Sequence, residues 1–231
     1  MPEQPAVRVY LEIGAKRTFA AAIEWPGWCR SGRGPEEALG TLVAYGPRYA
    51  TAIATAAPFL APTDPATLDI VERLKGGSGT DFGAPSSAPT GDAEPVAEVE
   101  LERLRAMLAA CWATFDRAAA SATGVELRRG PRGGGRDLAK IVAHVREAEE
   151  AYLVQLGSRP PKAGPVDVAA GIERHRGPIL DALSARARGG AIAEASRART
   201  PWPPRYFVRR AAWHLLDHAW ELEDRSTGAR G

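Results

Sequence analysis

The second half of the chain contains four stretches in which apolar residues recur at the spacing of an α-helix. Each stretch has one apolar face, so each is expected to bury that face against the others. Helices of this length joined by modest loops are typical of a four-helix bundle. The third stretch contains Gly177-Pro178, which is expected to kink or divide it. The predicted helices cover residues 96–122, 137–156, 166–187 and 204–225.

The first 75 residues show strand patterns instead. Two runs that alternate apolar and polar residues flank a Gly-Ala-Lys-Arg turn, which predicts a β-hairpin. Gly34-Pro35-Glu36-Glu37 favours a helix start, because proline suits the first helical position and acids suit the first turn. That helix is expected to break at Gly46-Pro47 and to resume to about Ala57. The predicted strands are Val7 to Ile13, Thr18 to Trp25, Cys29 to Gly32 and Leu68 to Leu74.

Residues 76–95 (GGSGTDFGAPSSAPTGDAEP) separate these two halves. The segment is rich in Gly, Ser, Pro and Ala, has no basic residue, and shows no sustained helical or strand period. We therefore predict a β-β-β-α-β domain of residues 1–75, a linker of residues 76–95 and a four-helix bundle of residues 96–231. The predicted fold class is α+β, and 231 residues suffice for two small cores.

Charge and cysteine content exclude several kinds of partner. Residues 1–75 carry 8 basic and 8 acidic side chains and residues 96–231 carry 22 and 17, so no nucleic-acid partner is expected. Cys29 and Cys111 form no paired motif, which favours reduced thiols and a cytoplasmic location. No segment approaches the roughly 20 apolar residues that span a bilayer, so no membrane partner is expected.

Three histidines predict a metal site. His214 and His218 are four residues apart in the apolar stripe of the last predicted helix, which places both imidazoles on one face. His144 lies on or at the edge of the inner face of the second helix, and three inward imidazoles without a ligand would be costly polar burials. A three-histidine set leaves coordination positions open, as catalytic metals require. The fourth histidine, His175, lies among charged residues and is expected on a solvated face.

The sequence around these histidines resembles two helices of the DinB/YfiT-like superfamily. The matching stretches run from Asp137 to His144, followed by Glu147, and from Arg209 to His218, within a similarity that covers about residues 96–226. The resemblance implies a four-helix bundle, often a homodimer, that holds a divalent metal through three histidines. It also implies a thiol transferase or isomerase that uses a low-molecular-weight thiol such as mycothiol or bacillithiol, or a metal-dependent hydrolase.

The N-terminal half resembles HicB-like antitoxin domains. The similarity covers about the first 75 residues and depends on Trp25-Pro26-Gly27-Trp28-Cys29 and Gly34-Pro35-Glu36-Glu37-Ala38-Leu39. It implies a protein partner, while the balanced charge favours a scaffold, dimerisation or substrate-covering role over RNA binding. Trp25 and Trp28 are expected to be buried anchors, with an aromatic ligand patch as the alternative.

Two further features are candidate site residues. Glu147, three residues after His144, is expected to orient that ligand or to act as a general base, unless it is an ordinary surface acid. The stretch RRGPRGGGR between the first two helices is expected to bind an anionic co-substrate, unless it is only a flexible basic connection. Its arginines are Arg128, Arg129, Arg132 and Arg136.

These features lead to two hypotheses about function. In the first, the chain is a metalloenzyme for a small-molecule substrate, and a divalent ion activates water or a thiol. Neutral imidazoles favour Zn, Ni, Co or Fe, and we favour Zn or Ni. In the second, the N-terminal domain binds a partner protein, and the metal only supports the bundle of a non-catalytic regulator.

Overall fold

The computed structural model describes residues 6–129, 135–159, 168–190 and 201–226, and for residues 168–175 the backbone alone. It confirms the α+β class, because a mixed four-stranded sheet precedes a set of helices. The sheet order is β3-β2-β1-β4, in which β1, β2 and β3 are antiparallel neighbours and β4 is parallel to β1. The strands are β1 (Val7–Ile13), β2 (Thr18–Ala22), β3 (Cys29–Gly32) and β4 (Leu68–Lys75).

Two short helices make the crossover that a parallel β4 requires. Helix α1 spans Pro35–Ala44, with proline in its first turn and Glu36 and Glu37 beside its N-terminus, as predicted. Helix α2 spans Gly46–Ile53, so the predicted break at Gly46-Pro47 is confirmed. Buried residues of both helices pack with those of β1 in one apolar cluster.

Residues 76–95, for which the sequence shows no periodic pattern, are ordered on the surface of the sheet. They contain helix α3 (Ser78–Phe82) and a 3₁₀ turn (Thr90–Ala93). The carboxylate of Glu12 on β1 is fully buried and accepts hydrogen bonds from the backbone N–H groups of Ser86 and Ser87, each at 3.0 Å to Oε2. These non-local bonds satisfy a buried charge, and they attach the segment to the sheet.

The helical half has the bounds that its apolar periodicity predicts, to within a few residues. Helix α6 is not divided at Pro178, because Ile179 and Leu183 pack into the core directly after it and offset the lost hydrogen bond. Within the described ranges, no helix has both the length and the apolar character that a membrane crossing requires. The helices are α4 (Glu98–Ser121), α5 (Leu138–Gln155), α6 (Val168–Ala187) and α7 (Pro204–Ser226).

Helix α7 lies between the bundle and the sheet. It packs against α4 and α5 on one side, and on the other Trp213 meets Phe19 of β2 at a ring separation of 6.0 Å. Farther along the helix, Trp220 meets Tyr45 at 5.0 Å. Most of the helix is therefore buried on all sides, and the two halves of the chain share one continuous apolar core.

A buried ion pair fixes this arrangement. The Arg209 guanidinium on α7 donates to the Asp92 carboxylate at 2.9 and 2.8 Å, and both side chains are almost inaccessible. The same guanidinium donates to the Ala22 carbonyl at the end of β2 at 2.7 Å. One side chain thus joins the bundle, the connecting segment and the sheet through charge-assisted hydrogen bonds.

Trp28 is a core anchor, as expected. Its ring is fully buried, stacks on Tyr49 at 6.0 Å and packs edge-on to Phe59 at 4.9 Å. Its Nε1 donates to the Leu42 carbonyl at 2.8 Å, which satisfies the one polar atom of the ring. Trp25 is half-buried and also contacts Phe59, at 4.7 Å.

Candidate metal centre

The three histidines come from two helices that pack side by side. Asp137 caps α5 by accepting a hydrogen bond from the Lys140 N–H at 2.9 Å, and this start places His144 two turns into the helix. His214 and His218 lie one turn apart on α7 and are 7 % and 8 % exposed, while His144 is half-buried. The prediction that these residues share one inward-facing location is confirmed.

Their ring nitrogens converge. The Nε2 atoms of His144 and His214 are 3.2 Å apart, and one ring nitrogen from each of the three histidines lies within 4.8 Å of the others. Nitrogens about 2.05 Å from a tetrahedral zinc would be about 3.3 Å apart, so the His144–His214 distance suits a shared ion. A hydrogen bond between two neutral imidazoles has the same length, so the distance alone does not identify a metal.

The surroundings keep two of these imidazoles neutral. Burial is the main reason that the pKa of His214 lies well below its ordinary value, and the nearby His218 and Arg210 lower it further. Burial also lowers the pKa of His144, with the positive charge of Arg136 as the next cause. Neutral imidazole is the form that donates a lone pair to a metal, so the site is set for ligation at neutral pH.

Glu221 supplies an orienting contact that the sequence analysis did not identify. His218 donates through Nδ1 to the Glu221 carboxylate at 2.9 Å, which leaves its Nε2 free to act as a ligand. The hydrogen bond from His218 is the main reason that the pKa of Glu221 is lowered. Arg225, one turn further along α7, donates to the other Glu221 oxygen at 2.7 Å. A carboxylate behind a histidine is the usual support of a metal ligand.

Glu147 does not make the hydrogen bond to His144 that would orient this imidazole. Its side chain is exposed on α5, about one turn beyond His144, and it influences that imidazole only as a nearby negative charge. Asp217, which lies between His214 and His218 in the sequence, forms a salt bridge instead: it accepts from Arg30 at 3.0 Å. Of the acids near the histidines, Glu221 therefore makes the direct contact.

The described ends of the arginine- and glycine-rich segment contact Arg225, the arginine that is paired with Glu221. Arg225 donates through Nε to the Arg128 carbonyl at 2.7 Å, and the Arg128 N–H donates to the Arg225 carbonyl at 3.0 Å. Gly135 lies so close to Arg225 that an added Cβ would stand 2.6 Å from its Nη2. Arg129 and Arg136 are exposed. Arg132 lies outside the described residues, as does the side chain of His175.

Aromatic rings border the cluster on its other side. The Tyr152 ring of α5 lies 5.9 Å from the His214 ring, and the Trp213 ring lies 6.1 Å from it. Tyr152, Trp202, Tyr206 and Trp213 together form what we call the aromatic patch. Within it, the ring centroid of Trp202 lies 5.3 Å from that of Tyr152 and 5.0 Å from that of Tyr206. The cluster thus has a charged side at Glu221 and an aromatic side at Tyr152.

Comparison of the chain with models of protein families, with curated proteins and with solved structures finds no match in any of the three. The similarities to DinB/YfiT-like bundles and HicB-like domains therefore depend on the sequence motifs alone.

Proposed function

We propose that this chain is a metal-dependent enzyme in which His144, His214 and His218 hold a divalent ion, with Zn or Ni favoured. The reaction is the attack of water or a low-molecular-weight thiol on a small-molecule substrate, in a hydrolase or a thiol transferase. One observation carries the proposal: three imidazole nitrogens from two helices lie within 4.8 Å of one another. The carboxylate behind His218 adds support.

The composition of the cluster favours catalysis over a purely structural metal. Within the part of the chain that the structure describes, the group that could share an ion contains three residues, whereas a structural zinc has four protein ligands. His144 is partly accessible, so one side of the site can be reached from solvent. A bound ion would lower the pKa of a nucleophile and polarise the group that it attacks.

The chain's own residues have distinct roles in this proposal. The neutral imidazoles supply lone pairs, and Glu221 holds His218 in the ligating tautomer. Glu147 is exposed beside His144, where it accepts the proton that the nucleophile loses. Arg136 is exposed and close enough to His144 to lower its pKa, and in this proposal it attracts an anionic thiol co-substrate together with the exposed Arg129. Both cysteines are buried and unpaired, which agrees with the cytoplasmic location that we propose.

Metal analysis tests the site. Wild-type protein and the single variants His144→Ala, His214→Ala and His218→Ala are loaded with zinc or nickel, dialysed and analysed for bound metal. His175→Ala is the matched control, because it also removes one histidine. We expect about one equivalent in the wild type and the control, and a large loss in the other three. A full equivalent retained by His218→Ala would rule out the proposed site.

A second experiment separates an enzyme from a regulator with a metal-stabilised bundle. Consumption of mycothiol or bacillithiol with a generic electrophile, and hydrolysis of generic esters, are measured before and after chelation. Circular dichroism reports whether the fold persists. Loss of turnover with the fold intact supports the enzyme. A lower melting temperature with no turnover in either state supports the regulator.

A further inference from the structure

Arg210 is a cation beside the histidine cluster that lacks a counter-ion. Its Nη1 is buried without a hydrogen-bond partner, and among the described residues it forms no ion pair. Arg209 and Arg225 on the same helix, by contrast, are each paired with a carboxylate. The Arg210 side chain is only partly buried, and none of the described carboxylates pairs with it, so its role is not that of a structural ion pair.

Two members of the aromatic patch hold the guanidinium. Its central carbon lies 4.5 Å from the Trp213 ring centroid and 5.5 Å from that of Tyr152. Cation–π contacts of this kind use the face of the guanidinium. Nη1 is buried, whereas Nε and Nη2 are not, and they donate to none of the described residues. Two adjacent N–H groups of this kind match the two oxygens of a carboxylate.

Arg210 borders the same space as the histidines. It lies one turn before His214 on the same face of α7, and one turn is about 5.4 Å. Tyr152 contacts both, since its ring lies 5.9 Å from the His214 ring. A cavity of about 10 Å³ beside Arg210, Tyr206 and Trp213 has room for one water at most. A larger ligand therefore approaches Arg210 on the accessible side of its side chain.

We propose that Arg210 binds a carboxylate of the substrate, whose apolar or aromatic body lies against Tyr152 and Trp213. This inference rests on the proposed function, because the histidine site supplies the reaction. A planar carboxylate fits a single guanidinium between aromatic rings better than a phosphate does, since a phosphate dianion usually recruits several cationic donors. The reacting group of the substrate then lies about one helical turn from its carboxylate.

The test uses metal-free full-length protein, so that a probe carboxylate cannot bind to an ion. Benzoate, its neutral counterpart benzamide and inorganic phosphate are titrated while the indole N–H signals are followed by NMR. The variants are Arg210→Met and Arg210→Lys, with Arg73→Met as matched control, since Arg73 is exposed on β4. We expect benzoate to bind the wild type and the control, with affinity at least about tenfold lower in Arg210→Met. Benzamide should bind the wild type at least about tenfold more weakly than benzoate.

Arg210→Lys keeps the charge but loses the planar edge, so its affinity for benzoate should fall about threefold or more. This variant decides the question if circular dichroism shows that Arg210→Met is unfolded. Equal benzoate affinity in the wild type and the Arg210 variants would overturn the inference, as would equal binding of benzamide or tighter binding of phosphate. Metal content is measured separately: a wild type that binds benzoate but no metal refutes the proposed function and leaves the carboxylate site standing.

Discussion

Glu149 is a buried carboxyl group that the histidine cluster does not use. It is 3 % exposed, and one oxygen accepts a hydrogen bond from Trp112 Nε1 while the other is buried without a partner. Burial raises the pKa of Glu149 from 4.5 to about 7; Arg176 and the Trp112 hydrogen bond oppose the rise, and Asp116 adds to it. We predict that the free energy of unfolding of Glu149→Gln, relative to that of the wild type, is higher at pH 8 than at pH 5.

The expected size follows from this pKa. A carboxyl group that binds its proton more tightly in the folded chain than in the unfolded chain loses stability as pH rises from about 4.5 to about 7. A difference of about 2.5 pKa units, at 1.36 kcal/mol each, amounts to about 3 kcal/mol. Glutamine has the same shape and no titration, so this pH-dependent loss is absent from the variant. A constant cost of about 1 kcal/mol for burying the amide N–H group applies at every pH.

The measurement is urea denaturation of metal-free protein at pH 5, 6, 7 and 8, followed by circular dichroism. The free energy of unfolding of Glu149→Gln minus that of the wild type should increase by about 2 to 3 kcal/mol across this range. Glu126→Gln is the matched control, because it makes the same replacement at an exposed carboxyl group. If the curves of Glu149→Gln and the wild type are parallel, the carboxyl group is ionised in the folded protein throughout, and the reasoning is wrong.

Three further predictions concern the ion pair and the histidine cluster. Arg209→Met should lower the free energy of unfolding by about 3–5 kcal/mol in urea denaturation, because it leaves the Asp92 carboxylate buried without its partner; a loss under 1 kcal/mol would contradict this. Glu221→Gln should weaken zinc affinity about 10- to 100-fold in competition with a chelator, whereas Glu147→Gln should leave it within about twofold; the reverse order would show that Glu147 supports the ligands. Because the pKa of His214 is lowered, zinc should remain bound at pH 6 and dissociate only at lower pH; dialysis that removes half of it at pH 6 or above would contradict this.

The elements that could be predicted from the sequence are those that local pattern determines. Apolar periodicity indicated α4, α5 and α7, and Asp137 marked the start of α5 through its capping side chain. The i, i+4 spacing of His214 and His218 is likewise a property of one helix, so their common face followed directly. Their meeting with His144 required only that two apolar stripes pack together.

The features that sequence reasoning missed depend on distant contacts. The order in residues 76–95 comes from hydrogen bonds to Glu12, which is more than 60 residues away along the chain. Of the two outcomes predicted at Pro178, a kink or a division, the structure excludes the division, because Ile179 and Leu183 pack into the core beyond the proline. The rule that singled out Glu147 at three residues after His144 applies equally to Glu221 at three residues after His218. The i, i+4 spacing of Glu221 and Arg225 was the available signal, since the arginine holds the carboxylate in place.

The histidine cluster is divided between α7, most of which is buried on all sides, and α5, which keeps one exposed face. Two of the three rings sit on a helix that cannot shift without disrupting the shared core, while His144 sits on the less enclosed α5. We therefore expect that opening of the histidine site, to admit or release a bound molecule, requires movement of α5 rather than of α7. Amide hydrogen exchange should be slowest along α7 and measurably faster around His144, and equal protection of both helices would argue against this division of motion.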